Sequence, residues 1–562
     1  MVDFYSLAID KLYLILRQGL EKLFIEEEIE KTKVDFLVEV PQEKKFGDFA
    51  TNVAMVAAKI FKKNPFELAE KLLQNISLDG TFFSKFEVKR PGFINFFLGD
   101  EWYSSVLKEV LNEGENFGKT EYGKGKKAIL EYVSANPTGP MHIGNARGGA
   151  IGDSLAECFR FAGFEVLKEF YVNDAGNQIE KFKKSLNLRY EQIFLKDENF
   201  EMPQDCYLGE DIKEHAENFA KIYKDEFMKK DVEERKTALL NYALPLNIKN
   251  LKLDLEKYKV LYDNWFFESS LYEDNSVFDI VKDLEEKGYT FKKDGATWFS
   301  FTKCGGDKDE VLIRDNGVPT YFASDIAYHF DKFKKRGFDI AIDIWGADHH
   351  GHIKRLKAAL SVLGVDSSSL EVVLMQMVRL VEKGKTLKLS KRAGNTITLN
   401  SLLEMIPIDV ARFFFNMKEP NTHFDFDLDL ARQESDKNPV YYVQYAYARA
   451  CGILKKLKQE QNSLDFKDVN FNISKTKEEI DLIKQIAKFP TEIINAVLTY
   501  NPSRIAHFCF DLSTLFHKFY VNCKIKGQEE EILRFRVCLC VAVLNVLKNS
   551  FSILKIEAKE EV

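Results

Sequence analysis

Between residues 126 and 420, short continuous apolar runs alternate with stretches of helical periodicity, and this constrains the fold more than any other feature of the chain. The runs are KAILEYVS, EVLKEFYV, DIAIDIWGA and LEVVLMQMVRLV, with a helix predicted over residues 143–162 between the first two. Strands that stay apolar on both faces and are separated by helices predict a parallel sheet covered on both sides. A charged, helical stretch at 178–245 interrupts the pattern, as in AENFAKIYKDEFMKKDVEERKTALLNY. It predicts an insertion hung on the sheet.

The flanks read differently. Residues 1 to about 110 predict a small mixed α/β unit, in which Asp48 caps a helix with the apolar face Ala50, Val53, Ala54, Ala57, Ile60 and Phe61, and INFFL after Pro91-Gly92 forms a strand. NFGKTEYGKGKK then has the composition of a linker. Beyond HFDFDLDLARQESDKNP the pattern is helical throughout, with Tyr441, Tyr445, Ala448 and Gly452 on one face, and a helical bundle is expected. The tyrosines at 441 and 445 are expected to be core.

A net charge of −7 argues against indiscriminate nucleic-acid binding, but residues 440–562 sum to +4 against −11 for the remainder. The eight cysteines include no CxxC pair, which argues against structural zinc and for reduced thiols in a cytoplasmic protein. Apolar runs such as VCLCVAVLNVLKNSF are short and charge-interrupted, so no membrane span or signal segment is expected.

At the junction EYVSANPTGPMHIGNARGGAIGD a strand turns into a helix. In an open parallel sheet, ligands gather at the carboxyl ends of strands, where helix N-termini offer free N–H groups. His142 and Asn145 are placed there to donate to phosphate oxygens, and Gly144 is expected to leave room for a nucleotide. The stretch alone also fits an ordinary surface histidine at a glycine-punctuated turn. Neither GxxxxGK[ST] nor a correctly spaced GxGxxG is present. A second stretch, EKGKTLKLSKRAGNTITL, carries Lys385, Lys388, Ser390, Lys391 and Arg392. Such a loop suits closure over a polyphosphate and stabilisation of a leaving pyrophosphate, and its pairing with the histidine turn sets it apart from a solvated basic turn.

HIGN (142–145) and KLSKR (388–392) together resemble the two signature motifs of class I aminoacyl-tRNA synthetases. EYVSANPTGPMHIGNARGGAIGD, YVNDAGNQI, VPTYFASDIAYH, WGADHHGH and NPVYYVQYAYAR, in this order, resemble arginyl-tRNA synthetases along almost the whole chain. KKFGDFATNVA and PGFINFFL are similar to that family's N-terminal domain, which contacts the elbow of the transfer RNA. The resemblance implies three domains: an α/β unit at 1–112, a Rossmann-like catalytic domain at 113–425 with an insertion at about 178–300, and an all-α anticodon-binding bundle at 426–562. Asn145 stands where the family usually has histidine, and Leu389 and Arg392 depart from the second motif while both lysines stand. The terminal KIEAKEEV departs from the family's usual apolar or methionine-containing tail.

The resemblance also implies a reaction and its residues. Arginine is activated by ATP, carried with Mg²⁺ as its substrate complex and with no resident metal, and is passed to the terminal ribose of tRNA(Arg); a monomer is expected, since nothing in the sequence advertises an oligomer seam. His142, Asn145, Lys388 and Lys391 carry catalysis, without a covalent enzyme intermediate. Gly139, Pro140, Met141, Ile143, Gly144, Met377, Val378 and Ser390 join them in the ATP site. A guanidinium is best held by buried carboxylates, and Glu131, Ser134, Asn136, Tyr321, Asp325, Asp348 and His349 form the arginine site. Tyr321 and Asp325 lie one helical turn apart. Phe46, Asn52, Tyr442, Tyr447, Arg449, Asn522 and Lys524 are expected to contact RNA. In DHHGH, His349, His350 and His352 lack the HExxH spacing of a metal site. Two alternatives are a class I synthetase of another specificity and a non-catalytic tRNA-binding relative.

Overall fold

The structure is a computed structural model that describes residues 3–195, 201–347, 350–387, 397–461 and 469–561. In the N-terminal unit, α1 (Phe4–Glu26) precedes an antiparallel sheet of order β1-β2-β4-β3, formed by β1 (Val38–Glu39), β2 (Phe49–Thr51), β3 (Phe83–Lys89) and β4 (Phe93–Leu98). Helices α2 (Val53–Phe61) and α3 (Pro65–Gln74) pack on it. Asp48 does not cap a helix: residues 49–51 are a strand, α2 begins after Asn52, and the Asp48 carboxylate accepts from Leu98 N–H and pairs with Lys484 of the bundle.

The next helix, α4 (Asp100–Glu113), lies against the C-terminal bundle. The stretch expected as a linker is packed as well, since Phe117 is fully buried and stacks on Phe489.

The central sheet is built from β5 (Lys127–Glu131), followed by α5 (Ile143–Phe161), β6 (Glu165–Val172), β7 (Asn264–Phe267), β11 (Ile340–Gly346) and β12 (Leu370–Met375). Its order is β12-β11-β5-β6-β7 and every pairing is parallel. The chain leaves β5 toward β6 on one side and returns to β11 on the other, so the crevice at the carboxyl ends of β5 and β11 is the natural ligand site. The insertion contributes α6 (Asn177–Leu195), α7 (Glu210–Tyr223) and α8 (Val232–Lys257). The expected range of 178–300 is too long, because β7 inside it pairs with β6. Between β7 and β11 come α9 (Ser270–Glu273), α10 (Ser276–Glu286), a separate antiparallel sheet of β8 (Thr290–Lys293), β9 (Ala296–Phe299) and β10 (Glu310–Ile313), and α11 (Tyr321–Phe330).

After α12 (His350–Val362), LEVVLMQMVRLV is two strands rather than one. β12 belongs to the central sheet; β13 (Val378–Glu382) belongs to a small sheet with β14 (Lys385–Thr386) and β15 (Phe424–Asp427). Helices α13 (Leu399–Met405), α14 (Ile408–Asn416) and α15 (Leu428–Ala431) lead into the bundle α16 (Pro439–Gln461), α17 (Lys477–Ala487), α18 (Phe489–Leu498), α19 (Ser503–Asn522) and α20 (Glu530–Leu554). Among the described residues α20 alone is long and apolar enough to cross a membrane, and most of it is buried in the molecule.

Candidate active site

β5 runs out into a strained bend. Val133 has φ +68° and the Ser134 N–H donates to the Tyr132 carbonyl at 2.9 Å, which makes a γ-turn of the rare positive-φ kind on a β-branched residue. Ser134, itself at φ +37°, donates from Oγ to Glu131 and accepts from Tyr171 N–H of β6. The bend therefore ties the end of β5 to its neighbour before the turn 137–141 begins.

His142 is the N-cap of α5. Its Nδ1 accepts from Gly144 N–H at 3.0 Å, and the Asn145 side-chain oxygen accepts from His142 N–H at 3.0 Å, a reciprocal capping box. A neutral ring that accepts at Nδ1 carries its proton on Nε2. The space at Gly144 differs from the expectation: a Cβ there would lie 2.9 Å from the His142 ring, so the glycine accommodates the imidazole.

Residues 388–396, with Lys388, Ser390 and Lys391, lie outside the described residues, but the chain on either side of them bears on the site. Leu399 N–H donates to the Met141 carbonyl at 2.9 Å, and Thr398 bridges His142 in antiparallel fashion. On the other side, the fully buried Arg147 of α5 donates to the carbonyls of Gln376, Glu419 and Thr422, at the entries to β13 and β15. Burial lowers its pKa to about 10. Met377 is 80% exposed and Val378 is buried in β13.

The amino-acid side is built from charges. Tyr321 opens α11, and its hydroxyl accepts from Gln178 N–H of α6. One turn on, Asp325 meets His352 Nε2 at 2.7 Å, so His352 is drawn to this carboxylate. Asp348 and His349 lie outside the described residues. Glu268, just past β7, is 1% exposed; its Oε1 accepts from Ser324 and Tyr272, while buried Oε2 has no hydrogen-bond partner among the described residues. Burial, then the charges of Asp325 and Asp174, push this carboxyl up to about 7. Sequence reasoning missed Glu268, whose one signal is an acid interrupting the apolar NWFFESS.

Glu131 is less available than expected. Its Oε2 accepts from the fully buried Lys332 at 2.8 Å and its Oε1 from Ser134 at 3.0 Å. Lys332, in a π turn at Asp331–Lys335, also bonds Asp343 at 2.8 Å, and His329 Nε2 meets the other Asp343 oxygen at 2.5 Å. Glu131, His329 and Asp343 have the donor set of a metal site, and the Lys332 ammonium serves both carboxylates from within. Burial pushes Glu131 up; it is also the largest single influence on Asp343, but Lys332 and His329 together outweigh it and hold that carboxyl low. Asn136 and Pro140 are exposed at the turn.

The residues expected to meet RNA divide. Arg449 lies between the rings of Tyr445 and Tyr520, 4.4 and 4.5 Å from their centroids, and both tyrosines are exposed. Tyr442 is half-buried against Phe510 and His517; Asn522 and Lys524 are exposed. Tyr447 is a correction, being buried in the bundle against Phe551, while Tyr445, expected in the core, is on the surface. In the N-terminal unit Phe46 is half-buried under Lys45, and the Asn52 side chain accepts from Leu37 N–H.

Residues 106–428, more than half of the chain, match a family model described as "tRNA synthetases class I (R), catalytic domain". Residues 10–98 match "Arginyl tRNA synthetase N terminal domain". The chain belongs to the arginyl-tRNA synthetase family. Residues 443–562 match "DALR anticodon binding domain". Among curated relatives, the arginine–tRNA ligase of Caldanaerobacter subterraneus subsp. tengcongensis is 50% identical over 94% of each chain. That of Acetivibrio thermocellus is 46% identical over 98% of each. A crystal structure described as a putative arginyl-tRNA synthetase from Campylobacter jejuni superposes with a TM-score of 0.74 at 34% identity, covering 83% of this chain and all of that one. Membership makes the chain an ATP-using arginine–tRNA ligase, and neither another specificity nor a non-catalytic relative finds support in these matches.

Proposed function

We propose how this arginyl-tRNA synthetase distributes its reaction over the site. The carboxylate oxygen of arginine attacks the α-phosphorus of ATP, which enters with Mg²⁺, and pyrophosphate leaves. A hydroxyl of the terminal ribose of tRNA(Arg) then attacks the arginyl carbonyl, and AMP leaves. His142 and Asn145, with the turn Gly139 to Gly144, hold the phosphates from the α5 side. Lys388, Ser390 and Lys391 approach from the other side, stabilising charge on the phosphorus centre and the leaving group. Met377 and Val378 border the nucleotide. Release of the Nδ1–Gly144 bond lets the imidazole turn toward phosphate; alternatively Nε2–H donates with the cap intact.

The observation that carries this reading is the backbone bond from Leu399 to Met141, with the Thr398–His142 bridge beside it. It ties the exit of the basic segment to the histidine turn, two regions far apart in the sequence. Charging of labelled arginine onto total transfer RNA, with lysine as control, tests the overall reaction. A Lys391→Ala protein that retains wild-type ATP–pyrophosphate exchange, measured with and without transfer RNA, overturns the phosphate assignment.

For arginine, Tyr321, Asp325 and Glu268 receive the guanidinium. Glu131, Ser134, Asn136, Asp348 and His349 serve the α-amino and carboxylate end. The orphaned Glu268 oxygen supports a cation there, since a buried carboxylate near the charge of Asp325 is unfavourable without one. Asp325→Asn is expected to raise the Michaelis constant for arginine far more than that for ATP. Phe46 and Asn52 face the RNA elbow, and Tyr442, Arg449, Asn522 and Lys524 the anticodon arm, with Tyr445 and Tyr520 added and Tyr447 removed. We infer a monomer at work in the cytoplasm, the compartment of its RNA substrate; sedimentation equilibrium tests the first point.

A further inference from the structure

The helical insertion reaches into the nucleotide side of the site through one side chain. Asn247 of α8 is 6% exposed. Its amide nitrogen donates to the Pro137 carbonyl at 2.9 Å, and its amide oxygen meets His215 Nε2 of α7 at 2.7 Å. These bonds run in opposite senses, so the carboxamide has one orientation and its donor end is the end offered to Pro137. Close by, the α7 carboxylate of Asp211 has a buried oxygen without a hydrogen-bond partner among the described residues, 3.3 Å from where a Cβ on Gly139 would stand. Two elements of the insertion therefore bear on the turn 137–141.

We propose that Asn247 is a positioning residue for ATP binding: it fixes the entry of the nucleotide turn from the helical insertion, without touching the nucleotide. Two tethers hold that turn. It is fastened at its exit by Leu399 N–H on the Met141 carbonyl, and at its entry by Asn247 on the Pro137 carbonyl. Between them lie only Thr138, Gly139 and Pro140, and the prolines at 137 and 140 stiffen the span. A shift at Pro137 is therefore carried to His142 rather than absorbed. Pro137 is buried, and leaving a buried acceptor without its donor is unfavourable by more than the average hydrogen bond contributes.

This role rests on the assignment of ATP to the 139–145 turn, and the experiment separates the two. Pyrophosphate exchange is measured on the full chain with transfer RNA present, varying ATP and arginine in turn, alongside thermal melting. Asn247→Asp, which keeps the shape but loses the donor, and Asn247→Ala are each expected to raise the ATP Michaelis constant about tenfold. The arginine constant is expected to change less than twofold. An unchanged ATP constant in both variants overturns the proposal, as does a parallel rise in both constants accompanied by a lowered melting temperature, which marks a merely structural residue. Should either variant fail to fold, His215→Ala removes the clamp on the carboxamide but leaves its donor, and a two- to threefold rise in the ATP constant alone is expected; no rise overturns the proposal. His142→Ala is the reference. If it retains wild-type exchange, the ATP assignment itself has failed, whatever Asn247 does.

Discussion

The nucleotide side and the amino-acid side of this site are built from different materials. The first is backbone: a cap, a capping box, two prolines and strand-like bonds from Thr398 and Leu399 fix His142 and Asn145. The second is charge: Glu131, Asp343, Lys332 and His329 bond one another in a buried network, and next to it Glu268, near the charge of Asp325, keeps one oxygen without a partner among the described residues. A polyphosphate is recognised by donors in fixed geometry, which local structure supplies. A guanidinium needs carboxylates taken out of water, which only tertiary packing supplies.

The largest effect expected of this contrast lies in the buried network. Lys332→Met leaves Glu131 and Asp343 buried and facing each other, and should lower unfolding free energy in urea by about 3–5 kcal/mol. A stability near wild type would show that the network relaxes as easily as a surface. Next comes the orphaned carboxylate. Glu268→Gln is expected to weaken arginine by about 2–3 kcal/mol, read as a Michaelis constant higher by about 30- to 150-fold, with ATP nearly unaffected. Equal effects on both substrates would dissolve the distinction between the two sides.

A pH series sharpens it further. With its pKa raised to about 7, Glu268 carries its charge only above that pH in the unliganded enzyme. Arginine should therefore bind about tenfold more weakly at pH 6 than at pH 8, while Glu268→Gln shows no such slope. Linkage gives the opposite sign for stability. The folded state holds this proton more tightly than the unfolded chain, so its contribution to stability is lost as pH rises from the ordinary glutamate range through 7. The smallest effect belongs to the backbone side: Gly144→Ala pushes the His142 ring out of its cap, costing about 1 kcal/mol of stability and raising the ATP constant with arginine unchanged.

The same contrast explains what can be read in the sequence. β5, α5, β6 and the turn between them are legible because each depends on neighbours in the chain: apolar runs, prolines, and a cap three residues from its partner. The Lys332–Glu131 bond spans 201 positions and leaves no local trace. Glu268 shows only as an acid in an apolar run, a signal shared with any strand end. LEVVLMQMVRLV misleads because an unbroken apolar run does not reveal the change of sheet at Gln376 and Met377. In α16 the most deeply buried apolar positions are Val440, Val443, Ala446 and Ala450; of the face 441, 445, 448 and 452 that the sequence suggests, Ala448 is buried, Tyr441 and Gly452 are half-buried and Tyr445 is exposed. Both sets fit a helical period, and ring size is a poor guide to the phase.

Arg147 and Met141 sit close to the start of α5, one gripping the entries to β13 and β15 and the other the first residue of α13. The histidine motif and the described chain on both sides of residues 388–396 thus ride on a single chassis. When the sheet flexes or the helix tilts, Gln376 and Leu399 are carried along with His142 as passengers of one body.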